Sequence, residues 1–534
     1  MSINIPHGSP LPAGSSPSLG DWVERLRSKG LLVGAGGPTH IPIDRLTADS
    51  RKVGPSTAFV AIRGTSTDGH LFIDKAVLNG ATAIVCEAGP DGMSGPVGAR
   101  ETRAPNSDAI GSPAWIQVSD SRQAWVELAS LMQGDPGSSL RLSAVTGTNG
   151  KSSVVTLLHH VLNTPDAPCG IIGTTGIMDG RTYHAATHTT PAPDTLMTWL
   201  AAMRENGCTN AVMEASSHAI DQHRLRFSDV DLALFTNLTR DHLDYHGSLE
   251  SYFEAKKGLF DVLSKDARAI TNIDDPRGAR IVADTQAAIT TIGSQAHKPD
   301  ADIVFALHSE ALDGLHLMID GDTRRYRLAG AYNAFNLAAA YAAARALGIE
   351  RAEALDQLAD CPPVRGRFEQ LRSPDGRTVI VDYAHTPDAL ENVLRTSRNA
   401  LNAGSSAFPD ARLFCLFGCG GDRDRGKRPQ MGGIAERLAD RVFVTSDNPR
   451  SEDPARILDD IRAGFDRPEE ATWLVDRREA IQVAIADMRP GDVFILAGKG
   501  HETTQVLADA TLHFDDREEA RQVMGLISPD THTG

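Results

Sequence analysis

The chain has 534 residues, 41% of them hydrophobic, with 69 acidic against 53 basic side chains and a formal charge of −16 at pH 7. That length exceeds what one core organises, so about three domains are expected, and the acidic balance argues against general nucleic-acid binding. No apolar run is long enough to span a bilayer, and the six scattered cysteines, without a Cys-x-x-Cys pair, read as small buried thiols in a reducing compartment.

Residues 1–20 are rich in Pro, Ser and Gly and lack a charged-then-apolar leader, so a disordered lead-in is expected. Strands at Ala58 to Ile62 and Ala81 to Cys86, with a helix over Leu71 to Asn79 between them, make a βαβ unit in a small N-terminal domain, 21–138. Two polar loops border it, Asp49 to Val53 and Arg63 to His70, where a ligand could sit. Gly89 to Pro113 reads as a surface insertion.

A central domain, 139–361, is organised around Gly147-Thr148-Asn149-Gly150-Lys151-Ser152-Ser153. The apolar run Leu142 to Val145 precedes it as a strand, and Val154 to Leu162 follows as a helix. Strand, Gly-rich turn, Lys-Ser and helix form a phosphate cradle: backbone N–H groups approach the anion, Lys151 adds a charge, and Ser152 offers a hydroxyl to Mg²⁺. The general phosphate-loop pattern needs a Gly where Val145 stands, so only a narrower version fits. Further strands near Ile171, Ala211, Leu232 and Ala269 alternate with helices, predicting a mainly parallel sheet. Their carboxyl ends carry Thr187 to Pro191, Glu214 to His218 and Asn237 to Asp244, where such sheets bind ligands. Hairpins are expected over 301–328 and an Ala-rich helix over Asn333 to Leu347.

The last domain, 362–534, again alternates strands (Thr378 to Val381, Leu413 to Phe417, Val442 to Thr445, Val493 to Leu496) with helices. Its polar strand ends are Asp382 to Pro387, Gly418 to Pro429, Asp447-Asn448-Pro449-Arg450 and Gly498 to Glu502. Two rims of functional loops are expected to face an interdomain cleft.

Together these clusters resemble the Mur ligases over nearly the whole span from Asp49 to Glu502. The resemblance implies a three-domain α/β fold: a small N-terminal domain, a central phosphate-loop ATP-binding domain and a Rossmann-like C-terminal domain. It implies an ATP-dependent amide ligase of cytoplasmic peptidoglycan precursor synthesis, expected as a monomer. A carboxylate takes the γ-phosphoryl group of ATP, and an amine displaces phosphate from the acyl phosphate. Lys151 is then expected on the outer phosphates, Ser152 and Glu214 on one Mg²⁺, and His242 on a second, helped by a carbamate on Lys256, with Lys257 the alternative. Without the resemblance, Lys256 reads as a solvated helix residue.

Other implied ATP contacts are Gly147, Thr148, Asn149, Gly150, Ser153, Asn333, Asn336, Arg367, Asp382 and Lys427. Tyr332 stands where the family usually has His before Asn333, and Ser152-Ser153 stand where Thr-Thr is usual. The resemblance places a uridine-nucleotide substrate, UDP-N-acetylmuramoyl-L-alanyl-D-glutamate, on Ser50, Thr65, Ser66, Thr189, Thr190, Ser216, Gln222 and Arg224. It places meso-diaminopimelate on Arg423, Asp447, Asn448, Pro449, Arg450, Gly498 and Glu502. Arg450 would pair with a distal carboxylate that L-lysine lacks. Three alternatives stay open: addition of L-lysine, a folylpolyglutamate synthase-like ligase, and a phosphate-loop switch protein that hydrolyses ATP only as a signal.

Overall fold

The computed structural model describes residues 16–38, 40–64, 67–88, 113–403 and 408–526. The chain packs as two compact units: Met1–Ala144, Leu162–Asp231 and Val262–Ala267 form the first, and Val145–Val161, Leu232–Asp261 and Arg268–Gly534 form the second.

The first unit begins with a helix, Leu19–Ser28, closed at its start by a capping box between Ser18 and Asp21. The expected lead-in therefore ends before residue 20, because Ser18 satisfies the first orphan N–H groups and lets Leu19 enter the helix. Residues 1–15 lie outside the described residues. A five-stranded sheet follows in the order Leu32–Gly36, Ala114–Val118, Ala83–Cys86, Thr57–Val60, Arg45–Thr47. Leu32–Gly36 is its antiparallel edge; the other neighbours pair in parallel. Two of the three inner strands, Thr57–Val60 and Ala83–Cys86, are buried at every position, as parallel strands covered on both faces are. The helix expected over Leu71 to Asn79 starts earlier, as a 3₁₀ turn at Gly69–Phe72 that runs into Ile73–Leu78. Asp68 accepts from the His70 N–H and caps that turn. Deeper in the unit, Cys169–Gly173 and Asn210–Glu214 pair in parallel, extended by the antiparallel strands Gly176–Met178 and Tyr183–His184.

The strand Arg141–Thr146 starts in the first unit and ends in the second, where the phosphate-binding turn leads into the helix Lys151–Leu162. Parallel strands Val230–Phe235, Arg268–Asn272, Ala288–Ser294 and Ile303–Ala311 continue the second unit. The hairpins expected over 301–328 are present: Ile303–Ala311, Gly314–Ile319 and Asp322–Tyr326 pair antiparallel. A six-stranded sheet then runs Glu369–Arg372, Thr378–Asp382, Val493–Ala497, Leu413–Phe417, Arg441–Val444, Thr472–Trp473. Only its Glu369–Arg372 edge is antiparallel. All six cysteines are buried free thiols. Among the described residues no helix is long and apolar enough to cross a membrane.

One ion pair in this sheet's core is fully enclosed. Arg477 donates through Nε (2.8 Å) and Nη2 (2.6 Å) to Asp516, and neither side chain is exposed. Removing one partner strands a buried charge, which costs about 3–5 kcal/mol. Asp516→Asn is therefore expected to shift the urea midpoint sharply downward. A change below about 1 kcal/mol would show that the pair is expendable.

Candidate functional site

In the second unit the phosphate loop is pinned at both faces. Asn149 N–H donates to Asn237 Oδ1 (2.9 Å), its carbonyl accepts from Thr236 Oγ1 (2.6 Å), and its Nδ2 donates to Asp388 (2.9 Å). Two glycines are obligatory. Gly147 has φ +146°, and a Cβ there would lie 1.9 Å from Thr236 Oγ1. Gly150 has φ +87°, and a Cβ would lie 2.5 Å from Asn336 Oδ1. Lys151 Nζ donates to the Gly147 and Thr148 carbonyls (2.9 and 2.8 Å). Ser152 and Ser153 are buried at the helix start, and Ser152 Oγ accepts from Arg367 Nη2 (2.9 Å).

Asn333 and Asn336 share a face of the helix Tyr332–Ala346 and bond to each other (2.8 Å). Asp382, buried at a strand end, accepts from Phe368 N–H (2.7 Å); burial raises its carboxyl, with Arg367 opposing. Arg367 stacks over the Tyr383 ring at 4.6 Å. Asn333 and Arg367 also line a cavity of about 760 Å³, large enough for a nucleoside.

Lys256 is not solvated: it is 1% exposed. Its Nζ donates to the Gly147 carbonyl (2.9 Å) and sits 4.3 Å over the Tyr252 ring. Burial, then the charge of Lys151, pushes its amine well below the usual lysine range, with Asp241 opposing weakly. Lys257 is the opposite case. Burial works against its charge, but ion pairs to Asp261 and Asp284 (both 2.5 Å) outweigh it and raise its pKa. The helical neighbours of Lys256 are Tyr252, Phe253, Leu259 and Phe260, whereas Lys257 has Asp261 one turn on. That spacing was the signal in the sequence that Lys256 faces the interior.

His242 sits at φ +54° at the start of a short helix, with Nε2 3.4 Å from Asp241. Asp241 lies in the motif Asn237 to Asp244, whose pattern marks no role for it. Burial raises its carboxyl, but His385 (3.7 Å), His242 and Lys427 more than offset this and hold it far below the carboxylate range. Lys427 is buried at the first position of the helix Lys427–Leu438.

The diaminopimelate residues expected from sequence also lie in the second unit. Asn448 Nδ2 donates to Glu502 Oε2 (2.9 Å) and its Oδ1 accepts from Val506 N–H (3.0 Å). The Asp447 carbonyl accepts from Gln505 (2.8 Å). Asp447 is buried; burial raises its carboxyl, but Lys499 and Arg477 bring it below the usual value. Gly498 has φ +112°, and a Cβ there would lie 2.6 Å from Asp447 Oδ2. Pro449 is buried, and its carbonyl lies 1.9 Å from where a Cβ on Gly421 would sit. Arg450 donates to the Gly421 carbonyl (2.8 Å). Burial, then the charge of exposed Arg423, lowers Arg450, so an added anion there would be welcome. Lys499, fully buried beside these residues, carries no sequence signal of a role beyond its place in the Gly498 to Glu502 cluster.

In the first unit, Glu214 accepts from Thr174 N–H (2.8 Å) and Thr174 Oγ1 (3.1 Å). Thr174 Oγ1 also bonds Thr189 Oγ1 (3.1 Å), from which it accepts. Thr190 Oγ1 donates to the Glu214 carbonyl (2.7 Å) and accepts from Ser216 N–H (3.1 Å). Arg224 donates to the Thr190 carbonyl (2.9 Å) and to Gln222 (2.8 Å). These expected substrate residues thus form one bonded cluster. Ser50 is buried apart from them, opening a 3₁₀ turn, and its carbonyl accepts from Asn79 Nδ2 (3.0 Å). Thr65 and Ser66 lie outside the described residues. Among the described residues no group of three His, Cys, Asp or Glu side chains could hold a metal by itself.

A phosphate-binding turn at the end of a parallel strand, with a second α/β sheet following it, fits a nucleotide-using enzyme class. Three family models match: the Mur ligase family catalytic domain at 42–131, the Mur ligase middle domain at 145–344, and the Mur ligase glutamate ligase domain at 366–500. A Parabacteroides distasonis protein named UDP-N-acetylmuramoyl-L-alanyl-D-glutamate--2,6-diaminopimelate ligase is 40% identical over 91% of this chain and 96% of its own. A Thermosynechococcus vestitus protein of the same name is 42% identical over 90% of this chain and 93% of its own. A solved structure of that name is 32% identical, with a TM-score of 0.60 over 91% of this chain and 95% of its own. Mycobacterium tuberculosis folylpolyglutamate synthase with ADP shares the fold at a TM-score of 0.55 and 19% identity, over 70% of this chain and 91% of its own. The chain belongs to the Mur ligase family, with its three-domain α/β architecture and ATP-dependent ligase chemistry.

Proposed function

We propose that this enzyme adds meso-diaminopimelate to the D-glutamate carboxylate of UDP-N-acetylmuramoyl-L-alanyl-D-glutamate, with domains at 21–138, 139–361 and 362–534. The observation that carries the amino-acid choice is that Asn448 bonds both to Glu502 and, through its carbonyl, to Arg450, beside buried Asp447, in a chain whose relatives are named for that reaction. The reading also includes a cytoplasmic monomer acting in peptidoglycan precursor synthesis.

A carboxylate is a poor acyl donor, and its attack on ATP brings two anions together. Lys151 holds the outer phosphates, while the turn's N–H groups orient them. Ser152 and Glu214 would each offer a hard oxygen donor of the kind Mg²⁺ takes alongside substrate phosphates. Mg²⁺, when bound, offsets phosphate charge. His242 would offer an imidazole to a second ion. The Lys256 amine, whose charged form burial disfavours, adds CO₂ as the free base and loses a proton to water, giving a carbamate that would supply a further oxygen donor. Asn333, Asn336, Arg367 and Asp382 hold the nucleoside, Lys427 reaches the transferred phosphate, and the Thr189, Thr190, Ser216, Gln222 and Arg224 cluster receives the muramoyl-dipeptide. Ser50, Thr65 and Ser66 keep the uridine end. Arg450 takes the distal carboxylate, and Asp447 and Glu502 take the distal ammonium.

The test is ATP-dependent phosphate release with the UDP-dipeptide and Mg²⁺, comparing meso-diaminopimelate, L-lysine and no amino acid. Release with a tripeptide product only for meso-diaminopimelate is expected. Equal turnover with lysine would discard the specificity reading and keep the ligase, whereas release without either cosubstrate would favour a switch protein.

A further inference from the structure

Lys499 is 0% exposed, and its three ammonium donors are all engaged. They reach the Thr504 carbonyl (2.6 Å), Glu502 Oε2 (3.1 Å) and Asn448 Oδ1 (3.3 Å). Asn448 also donates to the same Glu502 oxygen. One lysine therefore ties together the two loops that carry the diaminopimelate residues. Gly498, its chain neighbour, abuts the Asp447 carboxylate, which feels the Lys499 charge.

Charge decides what such a pocket accepts. Asp447 and Glu502 are its acids; Lys499 and Arg450 are its cations. Arg477 is neutralised by its bidentate pair with Asp516, and Arg423 lies exposed at the rim, where water screens it. These four groups sum to zero. A distal end carrying both an ammonium and a carboxylate preserves that balance. A lone distal ammonium leaves one uncompensated positive charge in a half-buried site, which is costly.

Resting on the diaminopimelate reading above, we infer that Lys499 is a positioning and specificity-determining residue: it aligns Glu502 and Asn448, and its charge makes the pocket reject a simple cationic side chain in favour of a zwitterionic one.

The experiment compares the full-length enzyme with Lys499→Met, measuring tripeptide formation from meso-diaminopimelate and from L-lysine, with the KM for ATP as a control. The expected result is that the ratio of kcat/KM for diaminopimelate over lysine falls at least about tenfold. The KM for ATP should stay within about twofold of the original. If Lys499→Met does not fold, Lys499→Gln carries the test, since its amide still donates to the Thr504 carbonyl without the charge. An unchanged ratio, with kcat lowered equally for both amino acids, overturns the inference and leaves Lys499 a structural residue. Absence of diaminopimelate turnover in the unmodified enzyme would instead sink the reading on which it rests.

Discussion

Lys256→Ala is expected to lose turnover by about 10²–10³-fold, the scale of removing one preorganised group that stabilises transition-state charge, whereas Lys257→Ala keeps most of it. The two lysines are chain neighbours with opposite fates. Lys256 is enclosed, over the Tyr252 ring and against the Gly147 carbonyl, and burial beside Lys151 disfavours its charged form. A neutral amine is the nucleophile that CO₂ requires. Lys257 is held protonated by Asp261 and Asp284, which leaves no lone pair to react. A short-chain carboxylic acid should partly restore Lys256→Ala, because it returns an oxygen donor to the space left empty. In the unmodified protein, ¹³CO₂ should yield a carbamate resonance that disappears in Lys256→Ala and persists in Lys257→Ala. Full activity in Lys256→Ala would falsify the assignment.

Lys151→Met should cost about 10³-fold or more in turnover, as loss of a phosphate-directed cation does in other phosphoryl transfers. Its effect has two parts. It removes the charge that meets the outer phosphates, and it removes the second-largest influence lowering the Lys256 pKa. With Lys151 gone, Lys256 shifts back toward protonation and the carbamate becomes harder to form. The two substitutions should therefore combine non-additively, with the double variant little worse than the worse single one. Strict additivity of the two losses would show that the residues act independently. The fold should survive, because methionine keeps the apolar stem and the turn is held by Asn149 through Asn237, Thr236 and Asp388.

Much of the site was legible along the chain. Polar clusters recur at strand ends because parallel sheets leave their loops there, so Glu214, Asn237 to Asp244, Asp382 and Asp447 to Arg450 stood out without coordinates. Lys256 was legible only through resemblance, although its apolar neighbours one turn away already pointed inward. Asp241 and Lys499 lie inside two of the strand-end clusters, yet their pairings, like that of Asp388, were not legible. Their partners, His385, Asn149 and Glu502 with Asn448, are supplied wholly or partly by other segments of the chain. No local pattern encodes such pairings.

The sequence by itself determined the phosphate turn, the alternating α/β order and the chemical inventory of each strand end, because those depend on local spacing and backbone geometry. The tertiary structure decided which charges those groups carry. Whether a lysine is a neutral nucleophile, a paired cation or a buried counter-charge depends on the water it loses and the partners it gains, as Lys256, Lys257 and Lys499 show.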